Sequence, residues 1–329
     1  MRNKKIRWGL VGLGNIAKLF AEDLALVSEA ELIAVASTDR NRAKEFAYAY
    51  GAAKFYGSYE ALFNDKEVDI VYVATYHHTH AEVSIKAMNA GKHVLCEKPI
   101  ATNHIDALAM IKASERNKVF FMEAFWSRFN PSIRKVKSLV EDDEIGKLKY
   151  LNAEFSFHVL NSDPKGRMLN PDLAGGSLLD MGVYPIFLSY LLLGKPTEIL
   201  ARSNFYKTGA EIQTAMIFQY KNAQAILYSG FANNTDMKAK IAGENGEIYI
   251  TPVWHETQGF VLKKEGGEKY HDLPTKGKGF TYEIEECHCC INAAKKQSQN
   301  WSHENSFELI SIVDEVRKQA GISFPFESP

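Results

Sequence analysis

The chain has no excess of either charge, few cysteines and almost no long apolar run. Each shortage excludes a class of protein. Lysine and arginine number 39 against 40 aspartates and glutamates, a formal net charge of -1. No basic surplus is available to neutralise a phosphate backbone, so no nucleic-acid partner is expected. The one long apolar stretch, Ser177 to Leu193, contains Asp180 and Pro185. It reads as a core helix and not as a membrane span. Met1 to Leu13 has basic residues before an apolar run, but that run is short and leads into glycines. A buried strand fits it better than a secretory leader. The cysteines are Cys96, Cys287, Cys289 and Cys290, with three crowded into one segment. That is a poor disulfide framework, and reduced thiols in a cytoplasmic protein are the simpler reading. No metal site is expected either. Cys287-His288-Cys289-Cys290 falls in a helical pattern, where adjacent side chains fan outward and cannot converge on zinc. The histidines of Thr75-Tyr76-His77-His78-Thr79-His80 have no acid or cysteine at a matching spacing.

What is present is ordered. A length of 329 residues exceeds the usual single core, so two domains are expected. Ile6–Val11, Leu32–Ala36, Ile70–Ala74, His93–Cys96 and Val119–Met122 are short apolar runs suited to buried strands. Between them lie the helical patterns Ile16–Val27, Arg40–Tyr50, His80–Ala90 and Ile105–Asn117. This alternation predicts an α/β domain with a doubly wound parallel sheet over residues 1–122. From 123 to 329 the pattern becomes Leu148–His158, Thr197–Tyr206, Gln213–Tyr220, Ala223–Phe231, Lys238–Ala242 and Glu247–Thr251, strands separated by short turns. That predicts an α+β domain on a largely antiparallel open sheet. Helical patterns at Leu178–Leu193, Tyr282–Lys295 and Ser306–Ala320 are expected to cover one face of it.

Four motifs carry chemistry. Gly12-Leu13-Gly14-Asn15-Ile16-Ala17 ends the first strand and opens the first helix. The spacing fits dinucleotide binding: a glycine for the turn, a glycine for close approach of a pyrophosphate, and a small residue for helix–strand packing. The second strand ends Ser37-Thr38-Asp39-Arg40-Asn41-Arg42. A serine rather than an acid directly after the strand, with Thr38, Arg40 and Arg42 nearby, suits the 2′-phosphate of NADP(H). NAD(H) is the alternative if Asp39 reaches the ribose, and helix capping is the plain reading of Asp39. Glu97-Lys98-Pro99 lies at the carboxyl end of a buried strand, where ligands bind in such sheets. There Lys98 can favour an alkoxide or hydrogen-bond a reacting hydroxyl. In Asp180-Met181-Gly182-Val183-Tyr184, Asp180 and Tyr184 share a helical face. A carboxylate and a phenol can orient a polyol and move its proton, although a capping Asp and a packed Tyr have the same spacing.

Taken in order, GLGNIA, CEKP and DMGVY resemble the glucose-fructose oxidoreductase / inositol dehydrogenase (Gfo/Idh/MocA) family. The stretches Gly57-Ser58-Tyr59-Glu60, Met122 to Phe129, Gly175 to Asp180 and Phe324-Pro325 extend the likeness over nearly the whole chain. It is nearest to the branch of dimeric dihydrodiol dehydrogenases and NADP-linked D-xylose dehydrogenases. The resemblance implies that Lys98 is the catalytic lysine and Asp180 the accompanying aspartate. Tyr184 would be the acid/base, at a position where many members carry histidine. It also implies an aromatic substrate pocket of Trp126, Phe155, Trp254 and Phe280, and a cis Lys98–Pro99 bond.

The expected cofactor-binding set is Gly12, Gly14, Asn15, Ile16, Ser37, Thr38, Arg40, Arg42, Thr75, Tyr76, His77, His80, Glu97 and Lys98. The expected substrate set is Trp126, Arg128, Phe155, Trp254 and Phe280. The reaction expected is hydride transfer between nicotinamide and a carbinol or hemiacetal carbon of a small cyclic polyol, sugar or trans-dihydrodiol. The alternatives are reduction of a ketose-type sugar and a non-catalytic dinucleotide sensor. No membrane partner is expected. Alternating strands such as Ala215-Met216-Ile217-Phe218 would leave an apolar sheet face wet in a monomer, which points to a homodimer through that sheet.

Overall fold

The computed structural model describes residues 5–327. The chain forms two compact units. The first comprises residues up to Phe129 together with Lys276–Phe307, and the second comprises Asn130–Thr275 together with the residues from Glu308. A single cut at residue 122 therefore does not describe the chain, because the segment Lys276–Phe307 belongs with the first unit.

In the first unit, β1 (Ile6–Val11), β2 (Ala30–Ala36), β3 (Lys54–Tyr56), β4 (Ile70–Val73), β5 (His93–Glu97) and β6 (Phe121–Ala124) form one sheet. Its order is β3-β2-β1-β4-β5-β6, and every neighbouring pair is parallel. β4 is buried at every position, as its run of branched and aromatic side chains requires. The crossovers are α1 (Asn15–Leu24), α2 (Arg40–Tyr50), the short α3 (Tyr59–Phe63), α4 (His80–Asn89) and α5 (His104–Asn117). β3 and α3 lay outside the sequence expectation, being too short to show a period. α8 (Thr281–Asn292) packs against α1 within this unit, and does not cover the second sheet as expected.

The second unit holds α6 (Pro131–Glu141), β7 (Leu148–Ser156), α7 (Val183–Leu193), β8 (Glu198–Phe205), β9 (Glu211–Gln219) and β10 (Gln224–Gly230). β11 (Ala239–Gly243), β12 (Gly246–Ile250), β13 (Gly259–Lys264) and β14 (Gly267–Asp272) follow, and α9 (His303–Ala320) ends in this unit. The eight strands run in the order β14-β13-β12-β11-β7-β10-β9-β8. All pairs are antiparallel except β7 with β10. The hairpin β13–β14 was not expected, because its lysines and glutamates hide any alternation. α6 could have been read: the Asn130 carboxamide oxygen caps the N–H groups of Ser132 and Ile133, Pro131 follows, and Ile133, Val136 and Leu139 are buried.

The inner face of this sheet buries Ala201, Met216, Phe218, Ala225, Leu227, Leu151, Ile241 and Ile248, with α7 packed on β7 and β10. The outer face is exposed. Leu200 pairs with Ile217, and Ile217 with Ile226, so three aliphatic side chains stand in one row across β8, β9 and β10. Their exposures are 52%, 45% and 44%. The same row continues through Asn152, Lys240, Tyr249, Val261 and Tyr270. No helix of the described residues is long and apolar enough to cross a membrane.

Candidate functional site

In the first unit the candidate residues lie at the carboxyl ends of β1, β2, β4 and β5. Gly12 has φ +81°, and a Cβ there would lie 2.3 Å from the Ala74 carbonyl oxygen. Glycine is thus required twice, by conformation and by contact. Gly14 differs: a Cβ would meet nothing of the protein within 4 Å. Gly14 is the N-cap of α1 and supplies no side-chain hydrogen bond. The first-turn N–H groups of Asn15, Ile16 and Ala17 therefore head a positive helix end with room for a pyrophosphate, which fits a dinucleotide.

At the end of β2, Ser37 is fully buried, and its Oγ accepts from Arg42 Nε at 2.9 Å and from the Asp39 N–H at 3.1 Å. Asp39 caps α2 by accepting from the N–H groups of Asn41 and Arg42, so it is engaged by the helix as the plain reading had it. Thr38 and Arg40 are exposed, with the Arg40 guanidinium 5.7 Å from the Phe55 ring centre. After β4, Thr79 Oγ1 bonds Thr75 Oγ1 at 2.9 Å and the Tyr76 carbonyl at 2.8 Å. Tyr76 is exposed and His77 half-buried.

Two of the residues in the expected cofactor set are buried. His80 is fully buried, with Nδ1 2.9 Å from the Pro99 carbonyl and Nε2 3.2 Å from the Thr75 carbonyl. Burial pulls its pKa down to about 4, so it is a neutral brace between two loops. Glu97 is also buried. One carboxylate oxygen accepts from the Tyr72 hydroxyl and the other from the Lys98 N–H at 3.1 Å. Desolvation, partly offset by Lys98, pushes this carboxyl up to about 7. Lys98 itself is half-buried at the strand tip, and the Lys98–Pro99 bond is cis. The following turn is held by Glu123, which accepts from the Ile100 N–H at 2.8 Å and from Trp301 Nε1 at 3.0 Å. Trp126 and Phe280 stack in this unit, with centroids 4.8 Å apart and planes at 15°. Arg128 is half-buried and donates its N–H to the Phe125 carbonyl.

The second unit carries its own candidate residues. Leu178–Gly182 winds as one π-helical turn before α7, a widening that recurs at functional sites. The helix expected over Leu178–Leu193 is therefore two segments. Asp180 lies in the wide turn, with Oδ2 3.1 Å from Arg167 Nη1. Tyr184 lies in the first turn of α7 and is only 5% exposed. Its ring packs against Phe155 at 5.4 Å, Trp254 at 6.5 Å and His255 at 5.1 Å. His255 stacks on Phe155 at 4.1 Å, and Trp254 Nε1 donates to the Glu154 carbonyl. Of the expected aromatic set, Phe155 and Trp254 thus join Tyr184 here, while Trp126 and Phe280 join each other in the first unit. Arg167 and His255 were not expected. Arg167 sits in an unpatterned loop, and nothing in the spacing separates His255 from an ordinary turn residue. Among the described residues no cluster of His, Cys, Asp or Glu could hold a metal ion.

Two family profiles match the chain. An oxidoreductase family with an NAD-binding Rossmann fold covers residues 6–125, and the GFO/IDH/MocA C-terminal domain covers residues 133–249. The chain belongs to this family, and it is an oxidoreductase with a dinucleotide-binding Rossmann domain. It is similar to a Xenopus tropicalis trans-1,2-dihydrobenzene-1,2-diol dehydrogenase, 32% identical over 97% of this chain and 99% of the relative. It is also similar to a Hypocrea jecorina D-xylose 1-dehydrogenase (NADP(+)), 33% identical over 97% of this chain and 93% of that one. Among solved structures, a 3-ketoreductase from Actinomadura kijaniata in complex with NADP and TDP-benzene superposes with a TM-score of 0.87 at 26% identity, covering 96% of this chain and 98% of that one.

Proposed function

We propose that the protein is an NADP(H)-preferring dehydrogenase or reductase acting on a carbinol or hemiacetal carbon of a sugar, cyclic polyol or diol. The observation that carries the reading is the presentation of Asp180 and Tyr184 from one helical start. The carboxylate there is ion-paired, and the phenol is walled by aromatic rings. Bound nicotinamide supplies or accepts the hydride. Tyr184 Oη gives or takes the hydroxyl proton. The charge of Lys98 favours the alkoxide, and Asp180 accepts from a neighbouring hydroxyl. The aromatic walls exclude water and suit the apolar faces of a ring. The names of similar enzymes, a diol dehydrogenase and a xylose dehydrogenase, support this substrate class. The test is nicotinamide absorbance on mixing the protein with NADP+ and a panel of aldoses, polyols and diols that includes D-xylose and trans-1,2-dihydrobenzene-1,2-diol. Silence across the panel in both directions removes the reading.

The cofactor preference rests on Ser37 and Arg42. The residue directly after β2 is Ser37 and not an acid, Asp39 is taken up as the cap of α2, and the guanidinium that holds Ser37 Oγ has the planar fork suited to a 2′-phosphate. Fluorescence titration should show tighter NADPH than NADH binding, and Ser37→Asp should reverse the order. Tighter NADH binding in the parent protein defeats this part.

The same reading includes a homodimer through the outer face of the second sheet. The row Leu200, Ile217 and Ile226 is exposed, so none of the described residues covers it. A stable interface buries about 800 Å² per partner, which an eight-stranded face can supply. Light scattering should report twice the chain mass, and Ile217→Lys should halve it. A parent protein that scatters as a monomer refutes the assembly.

A further inference from the structure

The wide turn that carries Asp180 has no local cap. Its N-cap residue, Ser177, makes no side-chain capping hydrogen bond to the turn. The N–H of Leu178 donates instead to Glu211 Oε2, at 2.7 Å across 33 residues of sequence. The other oxygen, Oε1, accepts from Ser177 Oγ at 2.7 Å and from Thr214 Oγ1 at 2.8 Å. Ser177 Oγ also meets Ser229 Oγ at 3.1 Å, and Thr214 Oγ1 meets Ser203 Oγ at 2.7 Å. Gly176 forms a backbone bridge with Glu211, and a Cβ on Gly176 would lie 3.3 Å from Glu211 Oε2. A Cβ on Gly182 would lie 2.8 Å from Ser229 Oγ, so the far end of the turn rests on the same group of side chains. Ser177, Glu211, Thr214 and Ser229 are all nearly or fully buried.

A buried carboxylate held by two hydroxyls and one N–H group is expensive to desolvate, and an apolar core would serve stability as well or better. Its geometry suits another task. Only a two-oxygen acceptor can take the Leu178 N–H on one side and two hydroxyls on the other, and so fix both height and rotation of the turn. The negative charge also lies at the positive end of the helical run that continues into α7. We propose that Glu211 is a positioning residue: from β9 it sets the register of the π turn, and through that turn it aims Asp180 and Tyr184 at the substrate hydroxyls. The inference rests on the reading of Asp180 and Tyr184 given above.

The test compares Glu211→Gln and the milder Ser177→Ala with Tyr184→Phe. Each is assayed with NADP+ and the best substrate of the panel, and the crystal structure of Glu211→Gln is determined as well. The amide keeps the volume but replaces one acceptor with a donor. Expected for Glu211→Gln is a fall in kcat of about ten- to hundredfold, the scale of a small misplacement of reacting groups, with NADPH affinity unchanged. Ser177→Ala should give a smaller loss in the same direction. The crystal structure should show the turn rewound and Asp180 parted from Arg167. If melting temperature falls in both variants while kcat and the turn stay as in the parent, and Tyr184→Phe is crippled, Glu211 is merely structural and the inference fails alone. Full turnover in Tyr184→Phe removes the catalytic reading and the inference with it.

Discussion

The two units hold their candidate site residues by different means. In the first, the groups that shape the cofactor site lie inside the motifs themselves: Gly12 is forced by its own φ, Asp39 caps the helix that directly follows it, and Glu97 accepts the N–H of the next residue. In the second, the turn bearing Asp180 is held by a glutamate on another strand, and Tyr184 is walled by rings from β7 and from the segment after β12. Local bonds make a site readable from short stretches of sequence. A site held by remote side chains shows only its tips.

The sharpest way to break this comparison is to remove the lysine at the tip of β5 in the first unit. Lys98→Ala should lower turnover by about two to four decades, the usual scale for a positioned proton-transfer component, while NADPH affinity changes far less. Steady-state kinetics on a confirmed substrate decides it, and near-normal turnover would make the lysine structural. The next effect separates the two glycines of the first motif. Gly12→Ala meets both a left-handed φ and the Ala74 carbonyl, and should destabilise by about 3 kcal/mol or more. Gly14→Ala has open space and should melt like the parent, yet bind NADPH more weakly. Equal melting temperatures for the two variants would contradict the account of the turn.

The smallest effect is on stability against pH. His80 and His288 both have folded pKa values pulled down to about 4 by burial. His288 Nε2 must stay unprotonated to accept from Trp8 Nε1. Below the unfolded value of about 6.5 the unfolded chain binds more protons, so stability falls as pH drops from 6.5 toward 4, by roughly 3 kcal/mol at most for His80. Glu97 has the opposite sign. Its folded value is raised to about 7, so its contribution is full below pH 4.5 and is lost as pH rises through 7. The buried Glu283, raised well above the ordinary carboxyl value by desolvation, acts in the same sense. Melting temperature should therefore peak in mildly acidic solution. Glu97→Gln should flatten the alkaline side of that peak, and an unaltered profile would show that its carboxyl is not strained by burial.

Much of the first unit was legible in the sequence. The valine- and isoleucine-rich runs gave the parallel strands, and Gly12-x-Gly14 at a strand–helix junction gave the phosphate end, because these features act over a few residues. The burial of His80 and Glu97 was not legible, since sequence order puts them near strand ends but not on which side of the backbone they fall. In the second unit, alternation located β7 to β12. The charged hairpin β13–β14 and the capped α6 were not expected, and the partners Arg167, His255 and Glu211 could not be seen.

By itself the sequence determined which short segments are buried and where a dinucleotide's phosphates fit, because burial periodicity and turn conformation are local properties. Tertiary structure alone decided that residues 276–307 return to the first unit, that Glu97 and His80 turn inward, and that a buried acid on β9 holds the turn of Asp180. Those are contacts between residues far apart in the chain, and no local pattern encodes them.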